Sequence, residues 1–141
     1  MAKTFKVTIT TAEQLLLETD AVSLQLPGIA GYLGILANHA PLVTALVPGV
    51  MTLRTDDSGS AGSASVFAVS NGFVEVARNE VSVMVDSCEP AADIDVTRAQ
   101  KAIERAKERL ADRLNPDIDT ARAEAAMARA KARLMVVGRG R

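Results

Sequence analysis

Phe73-Val74-Glu75-Val76-Ala77-Arg78-Asn79-Glu80-Val81-Ser82-Val83-Met84-Val85 alternates apolar residues with others on both sides of a two-residue break. A side-chain period of two over five or six residues is the mark of a strand with one face buried. Arg78-Asn79 between two such runs reads as the close of a short hairpin. The same alternation extends outward toward the N-terminus. Phe5, Val7 and Ile9 alternate with Lys6, Thr8 and Thr10, and Val22, Leu24 and Leu26 with Ser23 and Gln25. Further strands are predicted at Val50–Arg54, Ser65–Val69, Phe73–Ala77 and Val81–Val85. Asp56-Asp57-Ser58-Gly59-Ser60-Ala61-Gly62-Ser63 has the composition of a flexible hairpin tip, and Asn71-Gly72 is expected to supply positive φ. Many short strands at this spacing build a sandwich or a barrel.

Toward the C-terminus the period changes at Glu89-Pro90. Ala99, Ala102, Ile103, Ala106, Leu110 and Leu114 recur at helical spacing, with Asp93 or Asp95 placed to cap the first turn. Asn115-Pro116 breaks that helix, and Asp117 or Asp119 caps a second one. The second stripe is Ala123, Ala126, Met127, Ala130, Leu134 and Val137, ending before Gly138. A short break makes the helices antiparallel neighbours. Alanine seams allow close approach but bury little area, so the pair is predicted to be held weakly and to be detachable. The fold class is therefore α+β, mainly β, with domains at 1–90 and 91–141.

The chain has 141 residues, enough for a core of useful size, and its single cysteine, Cys88, cannot form an internal bridge. No stretch approaches the ~18 apolar residues of a membrane span, and the N-terminus has no apolar signal core, so a cytoplasmic location without direct membrane insertion is the expectation. The overall charge of −1 conceals a division: residues 1–92 carry a net −5 and the remainder a net +4. A basic second part points to an anionic partner. Nucleic acid fits poorly, because neither helix carries an aromatic residue to stack on bases.

The glycine-rich run Pro27-Gly28-Ile29-Ala30-Gly31-Tyr32-Leu33-Gly34 lacks the Gly-Lys-Ser/Thr ending of a phosphate loop, so it reads as a tight crossover between strands. His39, the single histidine, has no metal-ligating neighbour at a suitable spacing, and a structural imidazole held by loop hydrogen bonds is expected. No catalytic residue and no metal site is assigned. The charges on the helices read first as a solvated face with pairs such as Lys101–Glu104, Arg105–Glu108 and Arg109–Asp112.

A hairpin centred near Pro116 places residues whose numbers sum to about 232 at one height, given ~1.5 Å rise per residue. Arg98 is then level with Arg133, and Arg105 lies close to the height of Arg129. Four guanidinium groups on one side repel each other unless an anion sits between them, and a triphosphate would supply bidentate partners. Spacing alone favours the alternative, pairing with Glu104, Glu108 or Glu124.

Three segments resemble the epsilon subunit family of bacterial F-type ATP synthases. Gly31-Tyr32-Leu33-Gly34-Ile35-Leu36-Ala37-Asn38-His39-Ala40-Pro41-Leu42 is similar to its Gly-x-x-Gly-Ile-Leu-x-x-His-x-Pro motif, although Tyr32 stands where relatives often carry an acidic residue. Ala68-Val69-Ser70-Asn71-Gly72-Phe73-Val74-Glu75-Val76 resembles its Val-Ser-x-Gly-Phe-x-Glu-Val hairpin, and Ile94-Asp95-Val96-Thr97-Arg98-Ala99 its Ile/Leu-Asp-x-x-Arg-Ala segment.

The resemblance implies a ten-stranded β-sandwich plus helical hairpin, a non-enzymatic rotor subunit bound to the gamma subunit and the c ring, with Gly31, Leu33, Gly34, Ile35, Leu36, His39 and Pro41 in the interface loop. It implies a hairpin that can extend to the alpha and beta subunits and oppose ATP hydrolysis, and a peripheral place at the cytoplasmic face of the inner membrane. It also implies a regulatory ATP, with or without Mg, at Glu89, Ile94, Asp95, Arg98, Ala99, Arg105, Arg129 and Arg133, and no required cofactor. A free-standing sandwich module with a dimerising hairpin, and an enzyme using His39, are the competing readings.

Overall fold

The computed structural model describes residues 3–58 and 64–139. Ten strands come first: β1 (Phe5–Thr10), β2 (Leu15–Ala21), β3 (Ser23–Gly28), β4 (Gly31–Leu36), β5 (Leu42–Leu46), β6 (Gly49–Arg54), β7 (Ala64–Val69), β8 (Gly72–Ala77), β9 (Glu80–Val85) and β10 (Cys88–Pro90). Residues 59–63 of the predicted hairpin tip lie outside the described residues. One hydrogen-bonded sheet runs in the order β10-β7-β6-β3-β5-β8-β9-β1-β2, with β4 added on β3, and curls into a sandwich. All pairs are antiparallel except β1 with β9.

The alternation that predicted the strands is the alternation that fills the core. Val7, Ile9, Leu24, Leu26, Met51, Leu53, Val74, Val76, Val81 and Val83 all point inward and are buried. Arg78 and Asn79, at φ 53° and 60°, form the predicted hairpin turn between β8 and β9, the twist that suits right-handed strands. Gly31 adopts φ 126° at the β3–β4 turn, which a side chain would disfavour. Gly72 differs from expectation. It is not among the positive-φ positions; a Cβ there would stand 2.0 Å from the Met84 carbonyl oxygen, so close approach of β8 to β9 is what requires glycine.

After β10 a short 3-10 turn (Ala91–Asp93) leads to α1 (Val96–Ala111) and α2 (Thr120–Arg139). Asp95 caps α1 by accepting from the Arg98 N–H at 3.0 Å, and Asp119 accepts from the Arg122 N–H at 3.0 Å at the start of α2. The first helix stops earlier than its stripe suggests. Leu114 lies in the connection, 96 % exposed, where Asn115 Nδ2 donates to Asp112 Oδ2 and Asn115 Oδ1 accepts from the Asp117 N–H. The second helix runs past Gly138 to Arg139, so that glycine is no C-terminal stop.

α2 buries two faces where the sequence suggested one. Ala123 and Ala130 are buried together with Ala99 and Ala106 of α1, while Ala132 and Val136 pack on Val50 of β6, Ala68 of β7 and Ile94. Residues 130 and 132 are separated by ~200° around a helix, which puts the two seams on opposite sides. α1 rests on α2, and α2 rests on the sheet. The hairpin therefore covers this chain's own sandwich, so these two seams are occupied without a second copy.

Candidate functional site

The hairpin and the sandwich edge enclose a cleft of about 350 Å³. Arg98, Ala99, Ala102 and Arg105 line it from α1, Ala126, Arg129 and Arg133 from α2, and Glu89, Asp93 and Asp95 from the segment that joins sandwich to helix. The four arginines whose heights the sequence paired all line this one cleft. Alanines at 99, 102 and 126 keep the wall between them low. Asp95 has a second task in the same place, since its carboxylate is the α1 cap.

One arginine has a partner. Arg133 donates to Glu89 Oε1 from Nε at 2.9 Å, and its terminal NH2 group lies 2.8 Å from the same oxygen, so α2 is tied to β10 by a half-buried ion pair. Arg98, Arg105 and Arg129 close no ion pair among the described residues. The predicted helix pairs Lys101–Glu104, Arg105–Glu108 and Arg109–Asp112 do not reach ion-pair distance either, because these long exposed side chains gain little by fixing one geometry. The other ion pair, Lys6–Glu18 at 2.7 Å, joins β1 to β2; Glu18 raises the Lys6 pKa first by its hydrogen bond, then by its charge.

Ile94, which the resemblance adds to the site, has its side chain buried under α2 and does not line the cleft. Asp93, Ala102 and Ala126 line the cleft without having been assigned to it. For the two alanines the signal was present in the helical spacing, since Ala102 follows Arg98 by four residues and Ala126 precedes Arg129 by three.

The second predicted site divides. Gly31–Leu36 is not loop but the strand β4, paired with β3 along its length. Five steps of ~3.3 Å separate its ends, so the β3–β4 tip and the loop at residues 37–41 occupy opposite ends of the sandwich. Ile35 is corrected as an interface residue: it is 1 % exposed and belongs to the core. Leu33 packs against that core. Exposed apolar side chains remain at each end, Ile29 (67 %) and Tyr32 at the tip, Leu36 (64 %) beside the loop. The Tyr32 hydroxyl accepts from the Val50 N–H at 3.0 Å, a main-chain contact that places the ring across to β6. Gly34 has open space above it, Pro41 is exposed, and half-buried His39 shares a 2.7 Å hydrogen bond between Nδ1 and the Ala40 carbonyl.

Cys88 lies between the core and this edge. Burial, and next the Glu89 carboxylate, push its thiol up to about 12. No helix is long and apolar enough to cross a membrane, and no group of three or more potential metal ligands is found among the described residues.

Two family models match the chain in succession. The beta-sandwich domain of the ATP synthase delta/epsilon chain matches residues 4–91, and the long alpha-helix domain of the same chain matches 92–138. This chain belongs to the ATP synthase delta/epsilon family. The ATP synthase epsilon chain of Moorella thermoacetica is 43 % identical to it over 105 residues, covering 74 % of this chain and 75 % of the relative. That of Carboxydothermus hydrogenoformans is 42 % identical over 113 residues, covering 80 % and 81 %. Among solved structures, a chain of the Euglena gracilis mitochondrial ATP synthase OSCP/F1/c-ring superposes with a TM-score of 0.77 at 23 % identity. The match covers 94 % of this chain and 79 % of that one. At that identity the superposition speaks for the fold alone.

Proposed function

We propose that the chain is a non-catalytic rotor subunit of an F-type ATP synthase, and that its hairpin opposes ATP hydrolysis unless a nucleotide polyphosphate holds it closed. The observation that carries the regulatory part is the convergence of Arg98, Arg105, Arg129 and Arg133 on one cleft, with Glu89 as the partner of a single member. Four guanidinium groups against the carboxylates of Glu89, Asp93 and Asp95 leave the cleft with a net positive charge, and a triphosphate supplies the anionic, bidentate partners that such a cleft lacks. ATP bound in the closed state alone stabilises that state by mass action. Without it, the weakly held hairpin detaches and its basic helices reach alpha and beta, with electrostatic attraction guiding the contact.

The gamma subunit and the c ring are the proposed partners of the two sandwich ends, one at the Ile29–Tyr32 tip and one at the 37–41 loop. The subunit is attached to the cytoplasmic face of the membrane peripherally, through these partners. Leu36 and Ile29, exposed at opposite ends, are apolar side chains of the kind a partner covers.

Thermal denaturation with millimolar ATP tests the site. At ligand one hundred times Kd, linkage adds about 2.7 kcal/mol to the closed state. The wild-type chain should melt several degrees higher with ATP, and Arg98→Ala and Arg129→Ala should show no such rise. An unshifted wild-type melt would remove ATP from the cleft.

A further inference from the structure

The 37–41 loop is held by a side chain that the sequence marks only as a turn residue. Asn79 sits at φ 60° beside Arg78 in the β8–β9 turn, and asparagine tolerates that left-handed conformation. Its carboxamide Oδ1 accepts from the Asn38 N–H at 2.7 Å, its Nδ2 donates to the Thr4 carbonyl at 2.9 Å, and its own carbonyl accepts from the Lys6 N–H at 3.2 Å. The two side-chain bonds span 41 and 75 residues of sequence. Asn38 also stands at positive φ, 63°, and directly after it the His39 N–H donates to the Leu36 carbonyl at 3.2 Å. The start of the loop is therefore tied to another hairpin by the bond from the Asn38 N–H to the Asn79 side chain, beside the local turn bond of His39.

We infer that Asn79 is a positioning residue for the partner contact made at this end of the sandwich. Carboxamide chemistry is what the position uses, an acceptor toward Asn38 and a donor toward Thr4 on one planar group. Glycine would preserve the turn and lose both bonds. Aspartate would tolerate the turn and keep the acceptor toward Asn38 while losing the donor. The inference rests on the proposal that this end meets a partner, and the test separates the two.

In the assembled complex, photo-cross-linkers are attached at Ala40→Cys in the loop or at Ile29→Cys at the opposite tip, and the cross-link yield to neighbouring subunits is measured. In an otherwise wild-type chain both positions should cross-link; none from position 40 would overturn the interface reading itself. Adding Asn79→Gly should lower the yield from position 40 at least fivefold, leave that from position 29 unchanged, and speed hydrogen exchange at the Asn38 amide at least tenfold. Asn79→Asp, which keeps the acceptor toward Asn38 but sets a carboxylate oxygen against the Thr4 carbonyl, should fall between the parent and Asn79→Gly in both the position-40 yield and the Asn38 protection. An Asn79→Gly chain that cross-links from position 40 like its parent overturns the positioning role. So does one whose yields fall equally at both ends, for that would mean a general loss of folding.

Discussion

Val136 is fully buried where α2 meets the sheet, and truncating it to alanine removes two methyl groups from a seam whose buried members are Val50, Ala68, Ile94, Ala132 and Val136. At about 0.8 kcal/mol per buried carbon, with a small cavity term added, the loss comes to about 2 kcal/mol. Two of the five buried members are alanines, and Val66, Ala91 and Val137 add only partly buried contacts, so the docked state has little margin. A loss of that size shifts the balance between docked and undocked hairpin about 30-fold toward undocked. Hydrogen exchange read peptide by peptide is the assay. Amides of α1 and α2 should exchange about 30-fold faster in Val136→Ala, while those of β1, β8 and β9 keep their wild-type rates, because α1 rests on α2 and not on the sheet. Equal acceleration in the sandwich strands would refute the reasoning, since hairpin and sandwich would then open as one unit.

Gly72→Ala forces a Cβ against the Met84 carbonyl and the Val85 Cα, both main-chain atoms that cannot rotate away. Chemical denaturation should show a loss of about 3 kcal/mol or more, or no folded chain. The Cys88 thiol, raised to about 12 by burial and the Glu89 carboxylate, stays protonated at pH 8; iodoacetamide should leave it unmodified until the chain is unfolded. Since the folded chain favours the neutral thiol, its contribution to stability is complete below about pH 9 and declines as pH rises toward 12, which a denaturation series across that range would display. A chain ending at Pro90 should fold with the sandwich's own melting transition, because strand pairing and the main core lie within that span; a molten chain would refute this.

The sandwich was legible because period-two burial writes itself into the sequence. Phe5, Val7 and Ile9, or Val81, Val83 and Val85, name one face without reference to anything distant. Four arginines could be brought together in advance because an antiparallel helix pair relates heights by simple arithmetic. What escaped depends on contacts made across the fold. Gly31–Leu36 reads as loop because glycines at 31 and 34 mask the alternation, yet β3 supplies a complete ladder of partners for it. Ala132 and Val136 were missed because alanine pattern says little about which of two faces is buried, and α2 buries both. Asn79 was readable as a turn but not as a clamp, because its partners lie 41 and 75 residues away.

The ATPase rate of complexes reconstituted with four versions of this subunit tests the central claim most directly: the full chain, the chain ending at Pro90, Arg98→Ala and Arg129→Ala, each at low and at millimolar ATP. The account predicts that the full chain depresses the rate at low ATP and releases it at millimolar ATP. The short chain should be uninhibited at both, and the two arginine variants should remain inhibited at both. Full and short chains giving equal rates would contradict the hairpin's inhibitory role, and arginine variants relieved by ATP like wild type would contradict the four-arginine cleft as the sensor.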